Sequence, residues 1–162
     1  MKFAQSASEL LGTSRFVMTQ YLRGLTDQDI LVRPVEGAHH AAWQLGHLVV
    51  SERRMVDGVR SGAGIELPAG FEAAHEKDPS YSRDAGFSSL GEYVTLMTQQ
   101  RQRTLELLRD VPEADLSLPA PEFMRAYAPT TASVFLSVAS HELMHAGQIA
   151  VIRRRLGLPV VV

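Results

Sequence analysis

Apolar residues recur at helical spacing in four long stretches of the chain. Between about residues 4 and 24, Leu10, Leu11, Val17, Met18, Tyr21 and Leu22 repeat with that period, and Gly24 supplies a stop. A second stretch covers about 40–59. A third covers about 89–110; it opens on Ser89-x-x-Glu92, a capping box, and Pro112 lies just past its end. A fourth covers about 130–156, with Thr130 or Thr131 placed to cap it after Pro129, and Gly157 and Pro159 ending it. No run alternates cleanly between turn signals, so strands are not expected. The terminal Val160–Val162 reads as a tail packed on a helix or on a neighbouring subunit. The pattern predicts an all-α four-helix bundle.

The connections refine this picture. The segments 22–34 and 108–119 echo each other: a helix end, a short acidic turn, then proline. Helices two and three are joined by a long connection at about 60–88, well beyond the roughly 12–15 residues usual in compact domains. It carries Phe71, His75 and Tyr81 among glycines and prolines. Two readings stand side by side: a segment folded over one end of the bundle, or an exposed wandering loop; His75 itself is expected to meet solvent.

The chain of 162 residues is the size of one domain, 1–162, and its 45% apolar content suffices for a core. A formal net charge of −2 argues against nucleic acid or an anionic membrane surface as a partner. No stretch reaches the ~18 apolar residues of a membrane span, and the N-terminus lacks the unbroken apolar run of a signal peptide. The absence of cysteine excludes thiolate ligands and a cysteine nucleophile, and it fits a cytoplasmic location.

The chemistry concentrates in the histidines. His141-Glu142-Leu143-Met144-His145 is a literal H-E-x-x-H. His141 and His145, four apart on an apolar helical face, can bring two imidazole nitrogens to one ion. His47 on the second helix can supply a third from a facing helix and leave a coordination position open. His40 reads as a cap-region residue with His39, and also as a candidate fourth ligand or hydrogen-bond partner of one. Gln148, one turn beyond His145, is a candidate contact to a ligating imidazole. Trp43 reads as core sooner than as a stacking platform. Met18, Met55, Met97 and Met144 read as core fillers.

A protease is not expected. After His145 the chain holds no His, Asp, Glu or Cys to act as a downstream third ligand. Glu142 also lies about 100° around the helix from His141. Glu142 and Glu52 nevertheless remain the available bases for a hydrolase, although neither falls cleanly on its helix's histidine face. Arg153, Arg154 and Arg155 suit the negative end of the last helix dipole and could hold an anionic group.

The segments AAWQLGHLVVSERR and HELMHAGQIAVIRRRLGLP resemble the DinB-like superfamily, which includes the YfiT-type metal-dependent hydrolases. The resemblance covers nearly the whole chain and is most specific in His141-x-x-x-His145-x-Gly147-Gln148. It implies a four-helix bundle, often dimeric, with a divalent metal such as zinc or nickel on His47, His141 and His145. It also implies thiol S-transferases or isomerases that use a low-molecular-weight thiol such as bacillithiol or mycothiol. Three readings follow: a metal-dependent transferase or hydrolase acting on a small molecule, a non-catalytic metal- or ligand-binding stress-response protein, and a plain bundle with hydrogen-bonded histidines.

Overall fold

The computed structural model describes residues 2–76 and 86–160. Among these, the chain forms five α-helices: α1 (Phe3–Leu22), α2 (Ala41–Val59), α3 (Phe71–Ala74), α4 (Leu90–Asp110) and α5 (Thr131–Arg155). Three short 3₁₀ turns, Asp29–Leu31, Glu113–Ser117 and Glu122–Met124, punctuate the connections. The echoed segments after α1 and α4 each contain one of them. The described residues hold no named strand, only an isolated bridge between Pro119 and Thr130. None of the helices is long and apolar enough to cross a membrane.

The long helices end where local chemistry ends them. Ser89 and Glu92 form the reciprocal capping box on α4. Thr130, not Thr131, caps α5 through Ser133. At the other end of α5, Gly157 adopts φ 70°, and the N–H of Leu158 donates to the Arg153 carbonyl, a Schellman closure. The Arg153 guanidinium is buried and donates to the carbonyls of Pro159, Tyr21 and Arg23. It therefore ties the tail to the end of α1 and is not free to hold an anion.

α1 packs chiefly on α5, and α2 on α4 and α5. Their apolar faces build two cores. One gathers Met18, Leu45, Val49, Tyr93, Met97 and Ile149. The other gathers Leu11, Val56, Leu107, Leu108, Phe135 and Val138. In sequence, each long helix passes from one core to the other through a polar residue: Ser14, Glu52, Arg101 and Glu142.

These residues meet. Arg101 donates through Nε and Nη2 to Glu52 at 2.9 and 3.1 Å. The same Nη2 donates to Glu142 at 2.9 Å, and Nη1 donates to the Leu11 carbonyl at 2.6 Å. Ser14 and Arg15 complete Glu142 at 2.6 and 2.7 Å, and Thr104 donates to Glu52 at 2.7 Å. Arg101, Glu52 and Glu142 are only 5%, 7% and 2% exposed. Burial alone would raise the Glu142 pKa, but the charges of Arg101 and Arg15 outweigh it and hold the carboxyl below its usual range.

The 60–76 part of the long connection is laid along the bundle. Arg53 donates to the Ile65 carbonyl, and the Ile65 N–H donates to buried Gln100. His75, expected in solvent, is 2% exposed. Its Nδ1–H donates to the Phe71 carbonyl at 2.7 Å, and its Nε2 accepts from the Tyr93 hydroxyl at 2.8 Å. The ring lies so close to Gly46 of α2 that a methyl group there would overlap it. A polar ring can be buried here because both nitrogens are satisfied and the helix offers a flat surface. Burial pushes the Tyr93 hydroxyl up to about 12, so it remains a donor. Tyr81 lies outside the described residues.

Removing Arg101 alone leaves Glu52 buried without a counterion and Glu142 with Arg15 only. Arg101→Met is expected to cost about 3–5 kcal/mol in urea unfolding at neutral pH. The triple variant R101M/E52Q/E142Q, which removes both carboxylate charges as well, is expected to lose less than Arg101→Met does.

Candidate metal centre

The ion cluster sets how α5 is rolled. Glu142 points into the bundle, and one residue is about 100° of helix, so His141 and His145 are turned off that axis toward α2. There His47 meets them. One ring nitrogen from each of His47, His141 and His145 lies within 4.8 Å of the others. The Nε2 atoms of His141 and His145 are 3.2 Å apart. Two nitrogens bound tetrahedrally to one ion at 2.0–2.1 Å would be separated by about 3.3 Å.

A glutamine decides which nitrogen of His145 faces the cluster. Gln44 of α2 donates its amide N–H to the His39 carbonyl at 2.9 Å, which leaves its Oε1 as the acceptor for His145 Nδ1 at 3.0 Å. Nδ1 therefore carries the proton, and Nε2 presents a lone pair. Burial, then the neighbouring His141, His47 and His39, push the His145 pKa down to about 3. The ring is neutral at ordinary pH, as a metal ligand must be. His47 is held differently: Trp43 stacks on it at 4.7 Å and 9°, and His39 stacks on the other side of Trp43 at 3.5 Å and 11°. The Trp43 indole N–H donates to the Glu76 carbonyl at 3.2 Å, fixing the stack to the connection.

His47 and His141 also line a cleft of about 430 Å³. Its other walls include Ser51, Met55, Phe123, Tyr127 and Met144. His145 is buried at 5%, while the other two histidines are half-buried. The three histidines would hold an ion at the edge of this cleft, which His47 and His141 line.

A model of the DinB superfamily matches residues 10–149. The chain belongs to the DinB superfamily. No curated protein matches it.

Several residues of this DinB-superfamily chain lie elsewhere than expected. Glu142 and Glu52, the candidate bases, are locked on Arg101 inside the bundle. Gln148 is exposed on α5; the glutamine in contact with His145 comes from the facing helix. His40 caps α2, as its cap-region reading expects, its Nδ1 accepting from the Trp43 N–H at 3.1 Å, and its ring meets Phe87 edge-on at 4.4 Å. It does not belong to the converging group of three histidines. Met144 is 54% exposed and lines the cleft, whereas Met18, Met55 and Met97 are buried as expected. Gln44 had a signal in the sequence, since three residues before His47 is a neighbouring position on one helix face.

Two outcomes follow. Gln44→Ala is expected to weaken zinc binding by about 10–100-fold, read by competition with a chromophoric chelator. The metal-free protein is expected to lose stability as pH falls below about 6.5. Unfolded His145 protonates near 6.5 but the folded ring resists protonation to about 3, so in that window the unfolded chain binds more protons. Thermal melts between pH 7 and 5 lie above the carboxyl range of Glu142, and His145→Gln should flatten them.

Proposed function

We propose that this protein is a divalent-metal-dependent enzyme that transfers a low-molecular-weight thiol onto an electrophilic small molecule. The observation that carries the reading is the engagement of both nearby carboxylates by Arg101. A divalent ion held by His47, His141 and His145 would supply Lewis acidity that lowers the pKa of a thiol or water in the open position.

The residues around that position favour the thiol. A hydrolase needs a base beside the nucleophile, and Glu142 accepts from three side chains while Glu52 accepts from two. Neither is available to take a proton. A thiol starts near pKa 8.5, against 15.7 for water, so it needs far less help to ionise. The chain has no cysteine of its own, which fits a thiol that arrives as cosubstrate. Gln44 fixes the tautomer of His145 and aims its Nε2, and the Trp43 stack holds His47. The cleft wall gives the second reactant a place beside them, and positioning of this kind is a large part of any two-reactant catalysis.

The test is metal content by elemental mass spectrometry on untagged protein, with His47→Ala, His141→Ala and His145→Ala beside it. Near-stoichiometric zinc or nickel is expected, lost in each variant. The loaded protein should then consume an aryl halide electrophile only when a thiol is added. Consumption without thiol would identify a hydrolase; stoichiometric metal with no turnover would leave a binding protein; absence of metal after reloading would defeat the reading.

A further inference from the structure

Phe123, Tyr127 and Met144 are 60%, 62% and 54% exposed, and all three line the cleft that His47 and His141 open on. Large apolar side chains left bare together on one concavity mark a binding surface more than a packing defect. The loop that carries the two aromatics is firmly seated. Its Ala120, Met124 and Ala128 are fully buried, the Ala128 N–H donates to the Met124 carbonyl at 2.8 Å, and Arg125 donates to the Ala120 carbonyl at 2.7 Å. Pro121 and Phe123 rest on Gly58 of α2, where a side chain would strike the proline. Met124 thus points inward while Phe123 and Tyr127 point out from a fixed platform.

The charges at the rim decide the other half of the ligand's character. Arg54 lines the same cleft, but Glu72 holds it at 2.6 Å and Glu76 lies at 3.6 Å. Arg53 beside it is shared between Asp57 and Glu72. Two guanidinium groups facing three carboxylates leave no surplus positive charge to recruit an anion. The cleft of about 430 Å³ is of small-molecule size.

We infer that the ligand brought to this centre carries an uncharged aromatic or similarly broad apolar group, packed against Phe123, Tyr127 and Met144. The inference rests on the three-histidine metal reading above and names its substrate class. Burying a ring on this wall contributes affinity in proportion to the apolar area covered, and the two aromatics can stack on it.

The experiment is calorimetric titration of zinc-loaded protein with acetohydroxamate, benzohydroxamate and 4-carboxybenzohydroxamate. All three present the same chelating group and differ in what reaches the wall. Benzohydroxamate is expected to bind roughly 10-fold tighter than acetohydroxamate or better, with the carboxylated ring weaker than the plain one. The preference for the ring should collapse to within about 3-fold in F123A/Y127A, and persist in Leu118→Ala, an exposed leucine outside the cleft lining. Equal binding of the first two probes by the unaltered protein, or an undiminished preference in F123A/Y127A, overturns the inference. So does a change of oligomeric state in F123A/Y127A with the preference intact, which would make this face a contact between copies. Tighter binding of the carboxylated ring overturns the uncharged part. Binding of none of the probes, or no retention of zinc, defeats the metal reading itself and is distinguishable from a failure of the apolar wall.

Discussion

Arg101 stands where the four long helices meet, and the rest of the structure is arranged around the charges it holds. Its partners Glu52 and Glu142 come from α2 and α5, its Leu11 carbonyl from α1, and it is itself on α4. A buried cluster of this kind adds little net stability over an apolar core of the same volume, because desolvation offsets most of the attraction. What it adds is geometry. A slip of α2, α4 or α5 by one turn would leave a charge buried without its counterion, at a cost far above that of misplacing a leucine. The two apolar cores on either side could tolerate several rolls of α5; the layer between them admits one.

That roll gives the H-E-x-x-H segment its meaning. The same five residues present two faces, and the bundle uses both. Glu142 goes inward to the arginine, and the imidazoles of His141 and His145 turn toward His47 of α2, His141 also lining the cleft. In a metalloprotease the glutamate and the histidines serve one site. Here the glutamate stabilises the scaffold from which the histidines are aimed. The 2.9 Å contact between Arg101 and Glu142 and the 3.2 Å separation of the two Nε2 atoms are consequences of one helix orientation.

The helices and the His141–His145 pair were legible because both depend on local spacing; His47 entered as a candidate from a facing helix and through the resemblance to the DinB-like superfamily. The apolar period, the Ser89–Glu92 box and the four-residue step from His141 to His145 need no knowledge of which helix faces which. Residues whose roles depend on a facing element were not legible in that way. His75 looked exposed because Gly46 and Tyr93, which bury and satisfy it, are distant in sequence. Gln148 shared the spacing of a ligand partner but turned to solvent, while Gln44 reached His145 across the helix interface. Met144 followed the apolar pattern of a core residue, yet it lines the cleft together with His141.

The division of α5 also limits what chemistry the cleft can support. Among the described residues, its lining beside His141 offers hydroxyls from Ser51, Ser137 and Ser140 and no carboxylate. Both acidic residues closest in sequence to the histidines serve the ion cluster. With its imidazoles committed to an ion, a lining of hydroxyls and apolar walls would have little capacity to accept a proton. The carboxylates that fix the register of the helices are therefore withdrawn from the cleft, and neither Glu52 nor Glu142 is placed to serve it as a base.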